Sequence, residues 1–231
     1  MLKKGLLTGN QLKIIAIIAM TCDHAGKLLF PEIMLLQIIG RLAFPIFAYM
    51  ISEGGIHTRN RLKYLGTMSF MAFSMQVVYY FAMKSMYMSI FVTFSISIAL
   101  ISVWDYAKKS RSIHSIALLI LTLFGGYFVS EVLPEKLAHT TDFYIDYGFS
   151  GIVLPFLVFL CPKKYGKLIL CAIVTALDAF NTGGIQWYAL FALIPLMLYN
   201  GKRGKLKLKW FFYIYYPVHM VAIYLISLIL S

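Results

Sequence analysis

The sequence predicts an all-α protein, a polytopic transmembrane helical bundle of about nine helices with a cytoplasmic N-terminus. Of its 231 residues, 61% are apolar and 13% are charged, whereas soluble domains have about 45–50% apolar and ~25% charged residues. Apolar runs long enough to cross a bilayer recur along the chain. Lys and Arg cluster in alternate connections between these runs. The composition excludes a sizeable water-soluble domain, and we treat residues 1–231 as a single domain.

Nine apolar runs are the predicted spans, at residues 12–30, 34–53, 64–83, 88–106, 113–133, 145–161, 168–181, 184–199 and 210–230. The first run follows Lys3-Lys4, as in a signal peptide, but it is too long and lacks a small-residue cleavage site. We therefore interpret it as an uncleaved span. The seventh run ends at Thr182-Gly183-Gly184 and is short, so it could instead be re-entrant.

The basic residues predict the orientation of the chain. Five alternate segments hold 17 of the 21 Lys and Arg residues, namely Lys3, Lys4, Lys13, Arg59, Arg61, Lys63, Lys108, Lys109, Arg111, Lys163, Lys164, Lys167, Lys202, Arg203, Lys205, Lys207 and Lys209. The opposite connections hold only Lys84 and Lys136. By the positive-inside rule, we expect a multi-pass plasma-membrane protein with its C-terminus outside. This pattern also accounts for the net charge of +12, so the expected partner is the lipid bilayer and not nucleic acid.

The first two runs carry the most informative ionisable residues. Asp23-His24 and Arg41 lie at similar distances from the turn at Pro31-Glu32. Because a helix rises ~1.5 Å per residue, a hairpin would place them at one depth, roughly 10 Å below one face of the membrane. Ionisable groups within spanning helices are costly and usually functional. The hairpin therefore predicts a site that contains an acid, a base and a fixed cation.

Other polar residues fall near the same ends of their spans: Asp146, Asp178 and Gln186. His219 lies near the middle of the last span, three residues after Tyr216. These residues are auxiliary candidates for the site.

Each of these candidates has a structural alternative. Asp23 and Lys27, four residues apart, could simply neutralise each other. Asp146 could cap its helix, and His219 could be a buried histidine satisfied by its neighbours. The basic clusters could serve only as topology signals.

The chemistry of the hairpin is that of acyl transfer. Histidine is the natural proton acceptor near neutral pH, a carboxylate can fix its tautomer, and a buried guanidinium can stabilise an oxyanion. No serine stands in a nucleophile elbow, so direct attack of the acceptor on an activated acyl donor is the simpler scheme. We predict His24 as the base, with Asp23 orienting it and His219 at most an auxiliary. The alternative is proton relay or substrate clamping in a transporter.

The chain resembles the TraX family, most specifically in LKIIA (12–16) with DH (23–24) and in GRLAFPIF (40–47). Further segments that are similar are HTRNR (57–61), DYG (146–148), YNGKRG (199–204) and YPVH (216–219). The family is named for the membrane enzyme that acetylates the N-terminus of conjugative pilin. It also resembles the wider group of transmembrane acyltransferases, which use cytosolic acetyl-coenzyme A on acceptors facing outward.

The resemblance implies a function for the site. His24 would be the catalytic base and Arg41 a site arginine, while Arg59, Arg61, Lys202 and Arg203 would meet the phosphates of acetyl-coenzyme A. The acceptor would be an extracytoplasmic hydroxyl or amine, on a peptide N-terminus, a glycan or a lipid, and no metal is expected. The alternative is a transporter of small molecules or lipids, or a non-catalytic assembly factor.

Overall fold

The computed structural model describes residues 5–206 and 208–230, and this part of the chain is all-helical, which confirms the predicted fold class. Its nine helices are α1 Gly9–Leu28, α2 Met34–His57, α3 Arg61–Met83, α4 Ile90–Ser110, α5 Ile113–Leu137, α6 Gly148–Leu160, α7 Lys164–Thr182, α8 Gly184–Met197 and α9 Lys209–Leu230. Three residues of the predicted basic clusters, Lys3, Lys4 and Lys207, lie outside the described residues.

Polar caps set where several helices begin. The Thr8 side chain accepts from the backbone N–H of Gln11, and the Gln11 side chain accepts from the Thr8 N–H, so a capping box starts α1. Asn60 caps α3 and Ser112 caps α5 in the same manner with their side-chain oxygens. These local signals explain why most helix ends lie within a few residues of the ends of the predicted runs.

Four of the described helices, α2, α4, α5 and α9, are long and apolar enough to cross a membrane. Helix α1 has 20 residues but carries Lys13, Asp23 and Lys27, and α6 has only 13. These properties indicate a membrane protein. Spanning by the other helices, and the cytoplasmic N-terminus, stay predictions.

The turn between α7 and α8 depends on two glycines. Gly183 and Gly184 have φ angles of 75° and 55°, a conformation that side chains other than glycine rarely adopt. Helix α8 is a 3₁₀ helix over Gly184–Ala192 and therefore rises ~2.0 Å per residue instead of ~1.5 Å. It covers more length than an α-helix with the same number of residues would.

The chain divides into two compact units, and a single domain stays a prediction. The first unit comprises residues 1–50 and 168–231. In it α1 packs on the first part of α2 and on α9, around the buried side chains of Leu12, Ala16 and Ile46. The first turn of α1 is bonded to the loop before α9: the N–H groups of Gly9 and Asn10 donate to the carbonyls of residues 202 and 203, at 2.8 and 2.9 Å.

The second unit comprises residues 51–167. Its α4 packs against α3, α5 and α6, and the buried core contains Leu100, Ile101, Ile152 and Phe156. Two of its loops are joined by Asp142, which accepts from the Ser85 hydroxyl at 2.5 Å and from the Met86 N–H at 2.8 Å. The Ser85 hydrogen bond, and then that of Met86, lower the pKa of this exposed carboxyl below its usual value.

Candidate active site

The hairpin of α1 and α2 brings Asp23 and Arg41 into contact because a glycine faces the aspartate. A Cβ added to Gly40 would lie 2.3 Å from the Cβ of Asp23 and 2.8 Å from its Cα. Arg41 follows at a break that divides α2 into Met34–Gly40 and Ala43–His57. Pro45 has no N–H to donate to the carbonyl four residues earlier, that of Arg41, so the sequence weakens the helix at this point.

Five side chains form a continuous polar chain, the Asp23 network. Asp23 binds the Arg41 guanidinium through Oδ1 and Lys27 Nζ through Oδ2, the latter at 2.6 Å. Arg41 Nη1 donates to Gln186 Oε1 at 3.2 Å, and Gln186 Nε2 donates to Asp178 Oδ2 at 2.7 Å. Asp23, Asp178 and Gln186 are buried, whereas the Lys27 side chain is 49% exposed. The formal charges of its two carboxylates and two cations sum to zero.

His24 lies beside this network but bonds elsewhere. Its Nδ1 lies 2.8 Å from Nε2 of His219 on α9, and the two rings stack with centroids 5.0 Å apart. Tyr216 packs edge-on against both rings, at centroid distances of 6.0 and 5.3 Å. On its other side, His219 Nδ1 lies 3.0 Å from the carbonyl oxygen of Tyr215. The candidate base, His24, thus lies against the aromatic rings of His219 and Tyr216.

The prediction that Asp23 orients His24 is not what the structure shows. Asp23 turns to Arg41 and Lys27, and the hydrogen-bond partner of His24 is His219. Consecutive residues on a helix point about 100° apart, so neighbours in sequence face different surroundings. The predicted approach of Asp23 and Arg41 is observed, and so is the predicted pairing with Lys27. A functional contact with Arg41 and simple neutralisation by Lys27 are therefore compatible, because the Asp23 carboxylate binds both cations.

Asp146 belongs to the second unit, where its carbonyl accepts from the Thr93 hydroxyl at 2.6 Å. Its alternative role as a helix cap is not observed. The N-cap residue of α6 is Tyr147, whose side chain makes no capping hydrogen bond, and Glu131 Oε1 accepts from the Phe149 N–H at 2.6 Å. Glu131 lies in a π-helical turn of α5, Phe128–Val132. A cap contributed by another helix leaves no local sequence signal.

The predicted coenzyme A residues differ in their surroundings. The Arg61 guanidinium forms an ion pair with Asp105, donates to the Ile101 carbonyl at 3.3 Å and stacks over the Phe159 ring at 5.2 Å. The side chains of Arg59, Lys202 and Arg203 are exposed and form no hydrogen bond or ion pair with other described residues. Only these last three have cationic groups available for an anionic ligand.

Two residues of the site were missed by the sequence argument. Tyr215 supplies the carbonyl that accepts from His219, and its hydroxyl lies 2.8 Å from that of Thr21. Thr21 lies three residues before His24, and Tyr215 lies four residues before His219, so each shares a helix face with a histidine. That spacing was visible in the sequence. Within residues 5–206 and 208–230, no group of three His, Cys, Asp or Glu side chains is placed to hold a metal ion.

Comparisons with known proteins found relatives that match most of the chain. The chain is similar to the "Probable fimbrial assembly protein FimC, serogroup H1" of Dichelobacter nodosus, 25% identical over an alignment of 243 residues that covers 92% of this chain and 93% of the relative. It is also 27% identical over 195 residues to an uncharacterized protein of Rickettsia prowazekii, covering 83% of this chain and 69% of the relative. No solved structure matches the chain significantly.

The family comparison covers nearly the whole chain. The model of the family described as "TraX protein" matches residues 8–227. The match includes α1, α2, α7, α8 and α9, which carry His24, His219 and the Asp23 network. The chain therefore belongs to the TraX family.

Proposed function

We propose that this protein is a membrane acyltransferase that moves an acetyl group from cytosolic acetyl-coenzyme A to an amine or hydroxyl on the outer side of the membrane. The observation that carries the proposal is the placement of His24, a base, beside the buried ion pairs of Asp23. His24 is half-buried on the helix that carries the Asp23–Arg41 ion pair, so base and guanidinium supply two of the groups that acyl transfer needs. Family membership and the name of the fimbrial relative favour the N-terminal amine of a fimbrial subunit as acceptor.

In the proposed reaction His24 takes a proton from the acceptor as its nitrogen or oxygen attacks the thioester carbonyl. The new bond to the acyl carbon forms, negative charge develops on the carbonyl oxygen, and the carbon–sulfur bond then breaks. Coenzyme A leaves as a thiolate and receives the proton that His24 accepted, so the protein ends unchanged. Arg41 is the cation beside the base, and its bonds to Asp23, Gln186 and the Gln37 carbonyl hold it in place.

In the first unit Lys202 and Arg203 are exposed cations suited to the donor's phosphates, and Arg59 is such a cation in the second unit. Exposed cations without an anionic partner among the described residues are suited to a polyanionic ligand. Arg61 is left out of this set because Asp105 already neutralises it. The loop that carries Lys202 and Arg203 is fixed to the start of α1 by backbone hydrogen bonds, so these two residues need little ordering when a ligand binds.

Purified protein in detergent tests the proposal directly. With acetyl-coenzyme A and a peptide that has an N-terminal amine, we expect release of thiol and acetylation of the peptide at equal rates. His24→Ala should slow transfer by about 10²–10⁴, the usual contribution of a general base, while coenzyme A still binds. A peptide whose N-terminus is already acetylated is the matched control. Binding of a fimbrial subunit without thiol release would contradict the enzyme and favour the assembly factor.

A further inference from the structure

The hydrogen bonds of the two stacked histidines determine which ring nitrogen of His24 is available. A carbonyl oxygen only accepts, so Nδ1 of His219, 3.0 Å from the Tyr215 carbonyl, must carry a hydrogen. A neutral imidazole carries one hydrogen, so Nε2 of His219 is then a lone-pair acceptor. That acceptor faces Nδ1 of His24 at 2.8 Å, so Nδ1 of His24 is the donor.

We propose that His219 is a positioning residue, which holds neutral His24 in the tautomer with hydrogen on Nδ1 and so makes Nε2 of His24 the proton acceptor. The catalytic consequence rests on the proposed function, whereas the tautomer itself does not. No carboxylate competes for Nδ1, because the Asp23 oxygens are bound to Arg41 and Lys27. The orienting role predicted for Asp23 thus passes to a second histidine, which is 195 residues away in sequence.

The surroundings of His219 are built to hold its ring in one orientation. The side chain is buried, and it stacks on the Tyr215 ring with centroids 5.2 Å apart and planes 12° apart. Tyr215 is itself held by the contact of its hydroxyl with that of Thr21 on α1. Thr21 also donates to the carbonyl of Ile17, so the whole arrangement is attached to the helix that carries His24. A ring that packs on the Tyr215 ring and is bonded through both of its nitrogens has little freedom to change partner.

When His24 takes a proton on Nε2, the hydrogen on its Nδ1 still points at a lone pair. The imidazolium therefore gains a charge-assisted hydrogen bond without any rotation of either ring. The Tyr215 carbonyl stabilises any share of the positive charge that reaches His219. An aspartate would do this more strongly, but it would add a third carboxylate beside the two of the Asp23 network.

Nitrogen-15 NMR of the histidine-labelled full chain tests the tautomer without any turnover. The spectrum separates protonated from unprotonated ring nitrogens, and His24→Ala assigns the signals of His24 among the five histidines. In the wild-type protein, we expect His24 to carry hydrogen on Nδ1. Hydrogen on Nε2 instead would overturn the proposal, whether or not the protein transfers acyl groups.

Two variants of His219 separate positioning from packing. A glutamine has an oxygen where Nε2 stood, so His219→Gln should keep the His24 tautomer and most of the activity. His219→Leu fills the space but cannot accept, so we expect mixed tautomers and a kcat lower by about 10- to 100-fold, a loss like that seen when the hydrogen-bond partner of a metal-ligating histidine is removed. KM for acetyl-coenzyme A should not change. An unaltered tautomer in His219→Leu would refute the proposal. If His24 has the expected tautomer but the protein releases no thiol from acetyl-coenzyme A, the proposed acetyltransferase activity is refuted and the assignment of the tautomer stands.

Discussion

The two units of the chain bury polar groups in different ways. In the second unit four of the eight described residues with buried polar groups carry hydroxyls that donate to the backbone, as Ser97 does to the Ile152 carbonyl at 2.7 Å. This unit also buries an ion pair, in which Lys167 Nζ lies 2.5 Å from Glu53 Oε1. A hydroxyl bonded to a carbonyl is a common way for apolar helices to pack without water. Such bonds need no particular partner side chain and contribute only modestly to stability.

In the first unit the buried polar groups bond to one another. Asp23, Arg41, Gln186 and Asp178 follow in sequence along one network, and His24 bonds to His219 beside it. Burying charged and amide side chains costs free energy, so such groups within a membrane protein usually have a function. The second unit buries the Lys167–Glu53 pair, whereas the first unit joins an ion pair to further buried side chains and holds two bonded histidines beside them. This difference favours the first unit as the location of the candidate site, and the first two predictions below set one unit against the other.

The largest effect should follow loss of Asp23. Asp23→Ala removes the carboxylate of an ion pair whose side chains are 13% and 11% exposed, and breaking such a pair typically costs about 3–5 kcal/mol. In the second unit, Ser97→Ala removes one hydroxyl hydrogen bond and should cost only about 1 kcal/mol. Unfolding by sodium dodecyl sulfate, followed by circular dichroism, measures both. Equal losses in the two variants would mean that the units do not differ in the way proposed. Lys27→Met, at a half-exposed position, should be mild.

Gly40→Ala should have an intermediate effect. The added methyl group would overlap the Cβ of Asp23 and crowd its Cα, and main-chain atoms cannot move without shifting a helix. We expect a loss of roughly 1–3 kcal/mol together with loss of acyl transfer. Gly125→Ala in α5 is the matched control, since a Cβ there would meet nothing within 4 Å. Alanine favours helix, so this control should be neutral or stabilising by about 0.5–1 kcal/mol. Tolerance of Gly40→Ala in both assays would contradict the close approach of α1 and α2.

We expect the smallest effects on stability at Arg59 and Arg61, which lie two residues apart. Arg61→Gln loses the ion pair with Asp105, at side chains about a quarter exposed, and should cost roughly 1 kcal/mol without a specific loss of donor affinity. Arg59→Gln should leave stability unchanged and weaken the binding of coenzyme A, more at low salt than at high salt. Isothermal titration of coenzyme A at two salt concentrations measures the difference. The opposite pattern would assign the donor phosphates to Arg61.

The sequence alone determined the number, type and approximate position of the helices. Each depends on a long apolar run and on local caps such as Thr8 with Gln11, and both are readable within a few residues. It also determined that Asp23 and Arg41 approach each other, because a short turn joins their helices and Gly40 leaves room for contact. These features follow from helix geometry over short stretches of chain, so a single sequence is enough to predict them.

The tertiary structure decided which polar side chains pair with one another. His24 and His219, or Gln186 and Arg41, are distant in sequence, and helix periodicity gives a residue's face but not what lies opposite it. The same holds for Arg61, whose pairing with Asp105 requires the packing of α3 against α4. A buried polar atom must find a partner. Which partner it finds depends on how the helices rotate about their axes, and that rotation is fixed only when the apolar surfaces of all neighbouring helices pack together.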